Sequence, residues 1–230
     1  MTTITQRVKE LQDFIAATAK YYQRPPQEIH LLAVSKGHSV AAIQEAYNAG
    51  LRDFGENHYQ EALAKMQALQ DLSICWHFIG PIQSNKAKGI AQHFSWVHSL
   101  SRSEIAHLLN KHRPEHLPPL NVCIQVNLDK EVTKAGISCE QVGELVTIVN
   151  TLPKLKLRGL MAIPFPHKDE QKQYESFVRL QNLLLTLNGQ HNLIMDTLSM
   201  GMSNDLAAAI RAGSTIVRIG RALFGERRIE

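Results

Sequence analysis

The sequence predicts an α/β fold, a (β/α)8 barrel of the TIM type in a single domain spanning residues 1–230. Three observations predict it. Short apolar runs recur at a spacing of about 25 residues, each followed by a stretch of helical periodicity. Their number, about eight, is high for an open sheet of this length. No glycine-rich turn follows the first run, which weakens the runner-up, an open doubly wound sheet.

The elements follow in order. Thr3 is placed to cap a helix over 4–22, with Ile4, Val8, Leu11, Ile15, Ala19 and Tyr22 on one face. Pro25-Pro26 precede the first strand, IHLLAVS at 29–35. Further strands are predicted at 52–55, 74–79, 96–99, 120–127, 156–163, 194–198 and 215–219. Between them lie helical patterns at 40–49, 59–69, 84–93, 102–111, 138–152, 169–187 and 204–212. Ser84 is placed to cap one of these helices, and Gly50, Gly189 and Gly213 read as stop signals.

Composition narrows the function classes. Apolar residues make up 44% and charged residues 20%, enough to bury a core. No apolar run reaches membrane-span length, and the polar start MTTITQRVKELQ is no secretory signal. The net charge of +4 is scattered, with Arg227-Arg228 the one evident doublet, and aromatics are 6%. A nucleic-acid surface needs clustered basic residues, so small anionic ligands are the better expectation. Cys75, Cys123 and Cys139 are an odd number without a CxxC pair. A reducing cytoplasm is expected, and neither a disulfide framework nor a structural zinc site. Cys123 lies in an apolar strand and reads as core. Of the 11 histidines, His107, His112 and His116 share no helical face, and HExxH, GxSxG and Walker motifs are absent, so no metal is expected.

In such barrels ligands sit at the C-terminal ends of the strands, with phosphate often held after strands seven and eight. The seventh strand leads into LSMGMSND, where Ser199 and Ser203 offer hydroxyls and Gly201 permits close backbone approach. The eighth leads into VRIGRALFG, where Gly220 opens another helical turn. Ordinary turns and a helix cap would need the same residue types; the pairing at two adjacent loops favours an anion cradle. Lys36 follows the first apolar run almost directly, so it would project over the barrel mouth. An amine between apolar walls and other cations loses its proton easily, as a Schiff-base lysine requires. Lysine plus phosphate cradle suits pyridoxal phosphate, and equally a Schiff-base aldolase acting on a sugar phosphate. Arg218, two residues before Gly220, faces the same side. Beside a pyridine nitrogen it would disfavour protonation and weaken the electron sink. Asn57 in GENHYQE, His77 in WHFIGPIQSNK and Met161 in GLMAIP close the second, third and sixth strands and could meet the ligand.

Together AVSK, GENHYQE, WHFIGPIQSNK, KAG after VNLDKE, GLMAIP, LSMGMSND and VRIGRALFG resemble, in order and spacing, the pyridoxal phosphate homeostasis proteins. That family is similar to the barrel domain of alanine racemase, the fold-type III pyridoxal enzymes, without its second domain. The resemblance implies that Lys36 forms the internal aldimine and Arg218 meets the pyridine nitrogen. It implies that Ser199, Gly201, Ser203 and Gly220 hold the phosphate, largely through backbone amides, and that Asn57, His77 and Met161 line the ring. It further implies a role in intracellular vitamin B6 and amino-acid homeostasis rather than an established catalytic reaction.

Two positions depart from the family pattern. Arg221 stands where threonine or serine usually follows RIG, and His58 where tyrosine often follows GEN. At 230 residues there is no room for the racemase's second domain, which supplies one of two acid/base groups. The expectation is a monomeric carrier or sensor that exchanges cofactor with B6-dependent enzymes. A weak alanine-racemase-like amino-acid racemase and a sugar-phosphate aldolase are the competing classes, and a protein-binding regulator that merely keeps the fold is a third.

Overall fold

The computed structural model describes residues 2–129 and 135–226. Eight parallel strands close into one barrel in sequence order, β1 (His30–Val34), β2 (Asp53–Glu56), β3 (Cys75–Phe78), β4 (Trp96–Leu100), β5 (Leu120–Val126), β6 (Leu155–Ala162), β7 (Thr197–Ser199) and β8 (Ile216–Ile219). Pairing of β8 with β1, from His30↔Ile216 to Ala33↔Ile219, closes the ring and removes both sheet edges. The helices α2 (Val40–Asn48), α3 (Tyr59–Ala68), α4 (Ala87–His93), α5 (Ser103–His112), α6 (Val142–Asn150), α7 (Glu170–His191) and α8 (Leu206–Arg211) lie between successive strands. The N-terminal helix α1 (Ile4–Tyr21) packs on α2, α8 and the short α9 (Arg221–Phe224). None of the described helices is long and apolar enough to cross a membrane.

Several local expectations hold for reasons visible in the structure. Thr3 and Gln6 form a reciprocal capping box at α1. Gly50 and Gly213 end their helices at φ +103 and +91, conformations costly for any residue with a Cβ.

Others are corrected. Gly189 does not stop its helix: α7 runs on to Asn192, which takes the left-handed cap at φ +50. The predicted strand at 194–198 begins too early, because Ile194 is 94% exposed. Instead, the Asn188 side chain brackets Met195 with two hydrogen bonds, and β7 starts at Thr197. Ser84 caps nothing: it opens a 3-10 turn and donates to Glu104. Of the KAG stretch, Lys134 lies outside the described residues, as does Arg227-Arg228.

The apolar core lies mainly between barrel and helices, where Ile43, Phe54, Ile90, Phe94 and Phe177 are fully buried. The lumen is different. Paired residues on parallel neighbours share a face, so the registers Gly55↔His77, Cys123↔Gly159, Gln125↔Met161, Met161↔Ser199 and Leu32↔Arg218 assign lumen neighbours. Buried there are histidine, serine and arginine side chains, which must find partners within the barrel.

Candidate functional site

The C-terminal mouth of the barrel is built around the turn that follows β1. Lys36 is half-buried one residue past the fully buried Ser35. Its peptide is clasped from the next unit of the barrel. Nζ of Lys65, on α3, donates to the Ser35 carbonyl at 2.8 Å, to Glu56 Oε1 at 2.8 Å and to Glu61 Oε1 at 2.6 Å. Ser35 Oγ donates to Glu56 at 2.6 Å, and the Gly37 N–H donates to Glu61 at 2.6 Å. The backbone on both sides of Lys36 is thus tied to one ion-pair cluster. Burial pushes the Glu56 carboxyl above its ordinary range, against the attraction of Lys65. Burial acts the same way on Glu61, but the Lys65 and Gly37 hydrogen bonds outweigh it and hold that carboxyl low.

Lys36 and Gly220 line one cavity of about 450 Å3 with Val34, His38, Arg221, Gly225 and Glu226. Gly220 approaches β1 closely: a Cβ there would stand 3.3 Å from the Val34 carbonyl oxygen. The side chain of Arg221 is exposed at this rim. The loop after β7 turns at Gly201, which is buried at φ +96 with its Cβ position 2.5 Å from the Ala209 Cβ. Ser203 is exposed in the turn before α8, and Asp205 accepts from the Met202 N–H at 2.6 Å. Burial raises the Asp205 carboxyl above its usual range, opposed by that hydrogen bond and by the charge of Arg218.

Arg218 is 5% exposed in the lumen beneath the mouth. Nη1 donates to the Ser199 carbonyl at 2.5 Å and to Ser199 Oγ at 2.9 Å, and Nη2 donates to the Ala162 carbonyl at 3.0 Å. These anchors sit at the last residues of β7 and β6, so the guanidinium plane is fixed near the strand ends. Burial brings its pKa down to about 10, which leaves it a cation at neutral pH.

Two predicted site residues belong elsewhere than expected. The hydroxyl of Ser199 does not reach toward the phosphate loop. As the last residue of β7 it faces the lumen, between Arg218 and His98 Nδ1 at 2.7 Å. His77 does not line the mouth either. Its Nε2 meets Asp53 Oδ1 at 3.0 Å and its Nδ1 meets His98 Nε2 at 2.9 Å, while its ring stacks on Trp96. Asp53 and Trp96 are the first residues of β2 and β4, so the ring leans toward the N-terminal end. There it lines a second cavity of about 550 Å3 with His30, Asp53, Trp96, Arg158, Asp196 and Thr197 among others. Of the remaining residues, Met161 is buried in the lumen level with Ser199. Asn57, just past β2, carries a buried Oδ1 without a hydrogen-bond partner, as does Glu56 at Oε2.

Glu56, Glu61 and Lys65 were not among the residues expected at the site, though all lie in or near GENHYQE, and the Glu61/Lys65 spacing of i, i+4 is a visible signal. Nor was His98, for which strand parity in WVHSL was the available hint.

The protonation of the two imidazoles sets the direction of the hydrogen-bond chain through the lumen. Arg218 can only donate and the Asp53 carboxylate can only accept. With both imidazoles neutral, His77 Nε2–H donates to Asp53, His98 Nε2–H to His77 Nδ1, and Ser199 Oγ–H to His98 Nδ1. Burial lowers the pKa of His77, and burial together with the charges of His77 and Arg218 lowers that of His98 well below the usual value.

Residues 10–228 match the family model described as alanine racemase, N-terminal domain. A pyridoxal phosphate homeostasis protein of Pseudomonas aeruginosa is 53% identical over 227 residues, covering 99% of this chain and 97% of the relative. One of Escherichia coli K12 is 47% identical over 230 residues, covering 99% and 98%. Among solved structures, PipY of Synechococcus elongatus PCC7942 with PLP bound superposes with a TM-score of 0.85 at 35% identity, covering 97% of this chain and all of that one.

Proposed function

We propose, from the premise that this chain belongs to the pyridoxal phosphate homeostasis proteins within the alanine racemase N-terminal domain family, that it holds pyridoxal 5'-phosphate at the C-terminal mouth of its barrel and serves as a carrier or sensor of that cofactor. The carrying observation is the placement of Lys36. It is held by its flanking peptides in the cavity it shares with Gly220, where β1 and β8 meet, with Arg218 fixed in the lumen.

The residues fit the group. Asn57 Oδ1 is a buried acceptor lacking a partner near the mouth, and the backbone at Gly220 leaves room that a side chain would crowd. Lys36 Nζ would hold the cofactor's aldehyde carbon as a Schiff base. The backbone of Gly201, Ser203 and Gly220 would grip the phosphate, with the Arg221 charge beside it in place of a hydroxyl; Ser199 would contribute only through Arg218. Met161 and Asn57 would border the ring.

Bound pyridoxal phosphate supplies an aldehyde that condenses with amines and a ring that can withdraw electrons. Arg218 sets the limit on that second property. A guanidinium that stays charged at neutral pH repels a proton from a ring nitrogen beside it, which favours holding over carbanion chemistry. A protein that binds reversibly in this way would exchange cofactor with B6-dependent enzymes, acting as a monomer in the cytoplasm.

The test is an absorption titration of the purified protein with pyridoxal phosphate. A new band that is absent in Lys36→Ala supports the assignment. Lack of any band would overturn it and favour the aldolase. Amino-acid racemisation that scales with protein concentration and is lost in Lys36→Ala would replace the carrier by an enzyme.

A further inference from the structure

The cavity at the N-terminal end of the barrel plays no part in the proposed cofactor site, yet it contains a compact set of soft and hard donors. A carboxylate oxygen of Asp53, the Cys75 sulfur and a ring nitrogen of His77 all lie within 4.8 Å of one another. The His77–Asp53 separation is 3.0 Å and the Cys75–His77 separation 3.4 Å. Donor atoms around a tetrahedral zinc ion, bound at roughly 2.0–2.3 Å, stand on the order of 3.3–3.8 Å apart. These two separations therefore need to open by only a few tenths of an ångström, and the Asp53 and Cys75 donor atoms lie within 4.8 Å of each other.

The local fold explains why they converge. Asp53 pairs with Cys75 in the β2–β3 register, and Cys75 and His77 are i, i+2 on one strand, so all three face the lumen. His77 is oriented from behind by His98, the outer contact that ligating histidines generally require. The cavity gives access: Asp53 is 35% exposed at its side chain, Cys75 is half-buried, and His30 faces the same space.

We infer that Asp53, Cys75 and His77 form a site for a thiophilic divalent transition ion of the Zn2+ or Co2+ class, with water or His30 in the fourth position. A thiolate, an imidazole and a single carboxylate select such an ion over Mg2+ or Ca2+, which demand oxygen ligands. Binding expels one proton, from the Cys75 thiol, to solvent. His77 keeps its single proton but carries it on Nδ1, because the ion takes the Nε2 lone pair. His98 must then accept at Nε2 and carry its own proton on Nδ1, where it donates to Ser199 Oγ. The Ser199 hydroxyl can accept from both His98 and Arg218 and turns its hydrogen elsewhere. Occupation of the lower cavity thus reverses the direction of the whole chain as far as the residue that anchors Arg218.

The experiment uses the full-length, chelator-treated chain without pyridoxal phosphate, so its outcome does not depend on the cofactor proposal. Co2+ is titrated in while the near-ultraviolet thiolate-to-cobalt charge-transfer band is followed. The expected result is a band saturating at one ion per chain, lost in Cys75→Ser, with affinity lowered on the order of tenfold or more in Asp53→Asn. Histidine-edited 15N NMR with Zn2+ should move the His98 proton from Nε2 to Nδ1. Cobalt binding without a thiolate band in the wild-type chain overturns the inference, since histidines elsewhere then hold the ion. A band that survives in Cys75→Ser, or a folded Asp53→Asn with unchanged affinity, overturns it too.

Discussion

Replacing Lys65 by methionine removes the cation at the centre of the clasp around Lys36 while keeping most of its apolar stem. Lys65 is 7% exposed at its side chain and Glu56 fully buried, so the carboxylate left behind has no solvent to turn to. It escapes by taking up a proton. From an ordinary carboxyl value of 4.5, that protonation costs at most about 3 kcal/mol at pH 7, less what burial already costs the wild type. Loss of the hydrogen bond to the Ser35 carbonyl adds about 1 kcal/mol. The net deficit is about 2–4 kcal/mol at pH 7. Its pH dependence is the sharper signature. A carboxyl whose folded pKa is raised contributes its full stability below its unfolded pKa and loses it as pH rises through the folded value. The deficit should therefore shrink toward pH 5, by up to about 1.4 kcal/mol per pH unit. Urea unfolding of wild type and Lys65→Met from pH 5.0 to 7.5 measures it, and Glu56→Gln added to Lys65→Met should recover part of the loss. A deficit under about 1 kcal/mol, or one equal at both ends of the range, would refute a buried charge pair as the element holding this turn.

The lumen histidines make a second pH signature of opposite sign. Their folded pKa values lie below the ordinary 6.5, so their contribution is complete above pH 6.5 and is lost as pH falls toward the folded values. Each adds a limiting slope of about 1.4 kcal/mol per pH unit, and a wild-type stability flat from pH 7 to 5.5 would contradict neutral, buried imidazoles. Gly201→Ala combines a φ of +96 with a Cβ 2.5 Å from that of Ala209, and should lower the unfolding free energy by about 3 kcal/mol in denaturant melts. Arg221→Thr should weaken pyridoxal phosphate binding about two- to fivefold at low ionic strength, with the difference disappearing in high salt, because the arginine is exposed at the rim.

The barrel was legible because its rule is simple. Each strand is a short apolar run and each helix carries its own periodicity and stop signals, as Gly50 and Gly213 show. Lys36 was legible for the same reason: leaving a buried strand at its C-terminal end puts a side chain at the mouth. What the sequence did not display was parity within short strands and contacts between them. Ser199 and His77 carry chemistry suited to the mouth, but one faces the lumen as the last residue of β7 and the other leans toward Asp53. The boundary of β7 misled because Ile194 is apolar yet exposed, so composition alone started the strand too soon. The clasp of Lys65 on the Ser35 carbonyl joins residues 30 apart and His98 meets Ser199 across 101 residues. Such partners are set by barrel closure, which no local window contains.

The central claim is that the mouth of the barrel holds pyridoxal phosphate through the amine of Lys36. Borohydride reduction of the protein saturated with pyridoxal phosphate, followed by peptide mass mapping, tests it most directly. The account predicts one phosphopyridoxyl group per chain at Lys36, carried by the peptide that spans AVSKGHS. Label found on other lysines while Lys36 stays unmodified would contradict it.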